Sequence, residues 1–167
     1  PLTFGSDAAF AALSGLASAA RVTANGTSFD EALLFTHRGL SGPAILQVSS
    51  YWHEGDASAV RLCPETDFFD ALRTRRADAG RRDLATVLTE WLPKRLAQSI
   101  AVRVGAIGNL ADLSDARLRD VTRALAEWHL KPTGTEGYRK AEVTLGGVDT
   151  VALSSRSMES AHQPGLN

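Results

Sequence analysis

At 167 residues, 44% of them hydrophobic and 22% charged, the chain is the size of one large domain or two small ones and is long enough to bury a core. A formal net charge of −1 excludes a globally basic protein, the lack of an apolar run near bilayer length argues against a membrane span, and the single cysteine, Cys63, excludes an internal disulfide or a thiolate zinc site. With no cleavable hydrophobic leader, a cytoplasmic setting is expected.

In chain order, residues 1–4 read as the end of a strand and residues 7–13 as one or two helical turns. Residues 19–24 alternate and stop at Asn25-Gly26, a pair suited to the positive φ angles of a tight hairpin, and residues 27–29 return. The first forty residues therefore predict an antiparallel sheet. Residues 32–35 are apolar enough for a buried strand, and Gly39 supplies the freedom for a sharp reversal. Ser41 is expected to N-cap a short helix with Pro43 in its first turn, running to about Tyr51. A polar loop at 53–58 and a strand at 59–63 follow.

From Thr66 to Trp128 the spacing is helical. Phe68, Phe69 and Leu72 open it; Leu84, Val87, Leu88, Trp91 and Leu92 continue it; Leu96, Ile100 and Val104 share a face behind Pro93, with Gly105 and Gly108 closing that helix. Ser114 or Asp115 caps the last helix, whose stripe is Leu118, Val121 and Leu125. Strand signals resume at 128–130 and at 141–145, before Gly146-Gly147-Val148. The predicted fold class is α+β: a β-barrel-like or compact antiparallel sheet from residues 1–63 and 127–160, interrupted by a small helical bundle at 64–126, with 161–167 as an exit segment.

The chemical signals are few. Gly105-x-x-Gly108 lies between helices and not after a strand, so it is no dinucleotide fingerprint; the four histidines are scattered, and Ser41 does not sit in a nucleophile elbow. His37 follows a buried strand and precedes a glycine turn, where an acid/base role can be served. Arg73, Arg75, Arg76, Arg81 and Arg82 form a local cationic set whose ordinary use is a solvated helix face, and whose functional use is an anionic or RNA substrate.

The segment FTHRGLSGPAILQVSS at 35–50 resembles the central motif of the bacterial flavoprotein family called the BaiN-like or RdsA-like FAD/NAD(P)-dependent oxidoreductases. Residues 137–148, GYRKAEVTLGGV, with Ser157-Met158-Glu159-Ser160 and Pro164-Gly165-Leu166, are similar to the family's run into its C-terminal flavin segment; Asn167 departs from the aromatic usual there. The resemblance implies that the chain is the insert domain of a longer polypeptide whose Rossmann-type halves hold FAD, with NAD(P)H as an optional reductant. It places Gly39, Ser41, Gly42, Gly146 and Gly147 beside the flavin, leaves the chain alone without cofactor, and makes the other halves its partners. An alternative of another class is a non-catalytic module whose basic bundle binds RNA or a protein.

Overall fold

The computed structural model describes residues 1–5 and 8–166, with Ala8 and Ala9 described by backbone alone; Ser6, Asp7 and Asn167 lie outside the described residues. Its strands are β1 (Leu2–Thr3), β2 (Ala17–Ala24), β3 (Thr27–Phe35), β4 (Gly39–Ser41), β5 (Ser58–Leu62), β6 (Trp128–Leu130) and β7 (Gly134–Thr135). Its α-helices are α1 (Ala8–Leu13), α2 (Pro43–Val48), α3 (Phe68–Ala79), α4 (Leu84–Leu88), α5 (Lys94–Arg103) and α6 (Asp115–Ala126). The strands form one antiparallel sheet in the order β6-β5-β2-β3-β4-β1-β7, so the fold is α+β and the sheet is open, with β6 and β7 at its edges.

Period-two burial builds this sheet. In β2 the residues Ser18, Ala20, Val22 and Ala24 are buried, and opposite them β5 turns in Ser58, Val60 and Leu62. Asn25 and Gly26, at φ 47° and 80°, close the β2–β3 hairpin in register Ala24 with Thr27. On the outer face Arg21 sits across from Asp30, its Nε donating to the carboxylate at 2.7 Å. On the inner face α1, α2 and α6 pack, and Phe10 of α1 lies between Phe4 at 4.6 Å and Trp128 at 6.0 Å, centroid to centroid.

The chain leaves the sheet after β5 and re-enters at β6. Between them the caps are those that terminate orphan N–H groups: Asp67 accepts from Phe69 and Asp70 N–H, Asp83 from Ala85, and Ser114 from Arg117. Leu72, Leu84, Leu88, Leu96, Ile100 and Leu118 join the same buried cluster as Val22, Leu33 and Phe35, so one continuous core runs through helices and sheet. Arg95 ties α5 to α1 by donating to the carbonyls of Ala12 and Ser14 at 2.9 and 3.1 Å.

Two local expectations change. Ser41 does not cap α2: it is buried in β4, paired with Leu34, and the cap position belongs to Gly42 at φ 89°, ψ 171°. A serine committed to ladder pairing opposite Leu34 is in a strand and not at the helix end. Residues 141–145 form no strand despite their alternation; all five are exposed. They follow β7, which pairs with β1 through Leu2 and Thr135, and take no place on the sheet's open edge.

Candidate functional site

The reversal between β3 and β4 is built by Thr36. Its backbone N–H donates to the Gly39 carbonyl at 2.8 Å and its hydroxyl accepts from Gly39 N–H at 3.1 Å, which leaves His37 and Arg38 exposed at the tip. Arg38 pairs with Glu136, 3.5 Å away and 98 residues on, joining this tip to the end of β7. Beyond Glu136, residues 135–145 and the outer side of α2 enclose a cleft of about 310 Å³ lined by Leu46, Ser49, Trp52, Tyr138, Val143 and Leu145. The cleft thus gathers the helix that follows Gly42 and the segment that precedes Gly146, two stretches a hundred residues apart in sequence.

The candidate glycines divide into two kinds. A Cβ on Gly42 would stand 2.8 Å from the Ala32 carbonyl oxygen and 3.0 Å from Leu34 N, and one on Gly39 would strike the Leu2 carbonyl oxygen. Both glycines are therefore required by the close packing of this chain's own strands, and neither opens toward a ligand. Gly146 and Gly147, at φ 95° and 135°, have nothing within 4 Å of a built Cβ. Their backbone is open to a flat ring approaching from outside. Among the described residues, no strand, glycine turn and long helix combine as a dinucleotide pyrophosphate requires.

None of the five arginines lines this cleft. Arg75 and Arg82 converge on Glu90 at 2.7 and 2.8 Å, holding its carboxyl below the usual carboxylate range, with the Arg75 hydrogen bond the leading cause. Arg76 donates to the Leu113 carbonyl at 2.7 Å and pairs with Asp115, and Arg73 reaches the same carboxylate at 3.9 Å. The Arg76 hydrogen bond keeps the Asp115 carboxyl low as well. Arg81 has no ion pair among the described residues. The set therefore ties α3 to the α4–α5 turn and to α6, and with two carboxylates against five guanidinium groups it stays cationic. Cys63, half-buried, donates to the Trp91 carbonyl at 3.5 Å, and burial pushes its thiol up, away from nucleophile chemistry. No group of three or more His, Cys, Asp or Glu side chains gathers for a metal, and no helix is long and apolar enough to cross a membrane, both among the described residues.

Sequence reasoning passed over Arg38, Glu136 and Tyr138. Only a fold that sets β1 between β4 and β7 brings them together, and no local spacing signals it. A second feature is one of distribution: seven of the ten exposed large hydrophobics among the described residues lie between 138 and 166, including Tyr138, Leu145, Val148 and Val151. An apolar concentration of that kind on one segment suits a covered surface.

An open antiparallel sheet carrying a helical excursion, with α5 and α6 joined through two turns, defines an α+β module of sheet and helix–two-turn–helix type. Residues 1–143 match the family described as HI0933-like protein barrel and H2TH domain, and the chain belongs to that family. It is 48% identical over 160 residues to the ribosomal RNA dihydrouridine synthase of Escherichia coli (strain K12), covering 92% of this chain and 39% of that protein. It is 39% identical over 158 residues to the protein of the same name from Haemophilus influenzae, with 93% and 39% covered. The chain thus spans about two-fifths of the length of the curated relatives it matches. These matches support the RdsA-like side of the resemblance and not its BaiN-like insert reading.

Proposed function

We propose that this chain is the barrel-and-H2TH part of a flavin-dependent enzyme that reduces uridine in ribosomal RNA to dihydrouridine, with the remainder of the same polypeptide holding FAD. The observation that carries the reading is the 48% identity, over nearly the whole chain, to a relative of that name. The motif resemblance to flavoproteins and the exposed apolar run 138–166 support a flavin-bearing partner segment. Bound flavin supplies the hydride, and NAD(P)H is the proposed source of its electrons. The chain's own residues do the rest: Gly146 and Gly147 let the backbone lie against the ring edge. His37, exposed at the β3–β4 tip, is the proposed proton donor to the uracil carbon that does not receive the hydride.

The non-catalytic alternative is the less favoured reading, because four of the five arginines are held in contacts within the chain by Glu90 and Asp115, although the set stays cationic. The test is to purify the complete polypeptide, record its visible absorbance, and incubate it with deproteinised ribosomal RNA and NAD(P)H. A yellow protein that adds two hydrogens to a uridine, read by nucleoside mass spectrometry, is the expected result; a colourless protein, or one that reduces no uridine in RNA, refutes the proposal. His37→Asn should lower turnover by about 10²-fold while leaving flavin content unchanged. The 167-residue chain alone should bind no FAD, and stoichiometric micromolar heat in a calorimetric titration would overturn that part of the reading.

A further inference from the structure

The cleft between α2 and residues 135–145 carries chemistry that a flavin edge at Gly146 and Gly147 does not use. No lysine or arginine side chain lines it, whereas Glu136 and Glu142 do, so it is a poor receiver of phosphate. Its volume of about 310 Å³ lies at the low end of ligand pockets, about 300–1,000 Å³, and suits one nucleoside better than a dinucleotide. Leu46, Val143 and Leu145 give it apolar walls, and Trp52 adds only its ring, since the indole N–H is donated to the Asp56 carbonyl at 2.9 Å. A flat, neutral group with a polar edge fits such a lining better than an ion does.

Polar groups for that edge stand on both walls. Ser49, half-buried at the end of α2, donates its hydroxyl proton to the Leu46 carbonyl at 2.8 Å, so what it can still offer is lone pairs. On the opposite wall the main-chain N–H and C=O groups of residues 141–145 have no protein partner among the described residues and serve as donors and acceptors together. Uracil presents the matching mixture on one edge: its N3–H donates and its two carbonyls accept. Cytosine, whose N3 is an acceptor, would meet the Ser49 oxygen with no proton between them. Tyr138, 88% exposed, stands on the rim with its ring uncovered, a platform on which a base can stack. The lining ends at Leu145, one residue before Gly146. An enzyme that acts on a base in RNA takes that base out of its stack and holds its Watson–Crick edge by hydrogen bonds between aromatic and apolar side chains.

We propose that this cleft takes the uracil of the target uridine, with Tyr138 stacking on the base and Ser49 Oγ accepting from its N3–H, which makes Ser49 the residue that tells uracil from cytosine. The proposal rests on the ribosomal RNA reading above and adds where the base lies.

The test uses the complete polypeptide with NAD(P)H and ribosomal RNA fragments synthesised with either uridine or 3-methyluridine at the position that the parent reduces, the product being read by nucleoside mass spectrometry. Parent kcat/KM should be about 10-fold lower on 3-methyluridine, which has lost the N3–H. Ser49→Ala should lower it about 10-fold on uridine and bring the two RNAs within about twofold of each other. Tyr138→Ala should lower kcat/KM about 10-fold or more, chiefly through KM, and Tyr138→Phe, which keeps the ring, should recover it to within about twofold. Visible flavin absorbance and the thermal midpoint should match the parent in all three variants. A uridine preference unchanged in Ser49→Ala, a Tyr138→Ala rate within about twofold of the parent's, a Tyr138→Phe loss equal to that of Tyr138→Ala, or variants that lose flavin together with activity each overturn the cleft as the base site and leave the enzyme reading standing. A parent that reduces no uridine in ribosomal RNA overturns both.

Discussion

Replacing Gly42 by alanine separates a glycine kept for folding from one kept for a ligand. Its backbone, at φ 89° and ψ 171°, lies in a region that only glycine occupies readily, and holding alanine there costs about 1–3 kcal/mol. The added methyl would meet the Ala32 carbonyl oxygen at 2.8 Å and Leu34 N at 3.0 Å, both main-chain atoms of β3 that cannot swing aside. Relieving that contact by parting β3 from β4 costs about 1–3 kcal/mol more. The expected loss is therefore about 2–6 kcal/mol, which at a slope of about 2 kcal/mol per molar urea lowers the unfolding midpoint by about 1–3 M. Gly134→Ala is the control: its nearest neighbour would be Thr3 Oγ1 at 3.7 Å, ordinary contact, and its effect should stay within about 0.5 kcal/mol. A Gly42→Ala protein that unfolds at the parent's midpoint but loses flavin would refute the packing argument and restore Gly42 as a cofactor contact.

Ser58 carries a buried hydroxyl with no partner among the described residues, so Ser58→Ala should raise stability by about 1 kcal/mol; a clear loss by thermal melting would mean that a water satisfies it. Asp115 and Glu90 have carboxyls held low in the folded state by Arg76 and Arg75, so their contribution is fully present above the unfolded carboxylate range near pH 4 and is lost as pH falls through the depressed folded values. Asp115→Asn should accordingly flatten the acid limb of the stability curve below about pH 4, and an unchanged limb would refute the pairing. Cys63, with its thiol pushed up by burial, should resist iodoacetamide at pH 8 in the folded protein and react on unfolding; rapid labelling of the native chain would contradict the observed burial.

Features that depend on neighbours in sequence were legible before the fold was known. Asn25-Gly26 needs only its own φ angles to turn the chain, Ser114 needs only the amide three residues on, and the stripe of Leu118, Val121 and Leu125 follows from the helical period alone. Gly146 and Gly147 come from the family resemblance, and the open space around them is what the structure adds. The tertiary structure alone decided what each of these faces. Residues 141–145 carry the alternation of a strand and form none, running past the open edge of β7 with all five exposed, so no buried face holds them in a ladder. The arginines of α3 read as a free basic patch until Glu90 and Asp115, 15 and 39 residues from Arg75 and Arg76, fold back to pair with them. Conformational preference is a short-range property of the chain, whereas pairing, burial and the direction of a donor depend on which distant atoms reach it first.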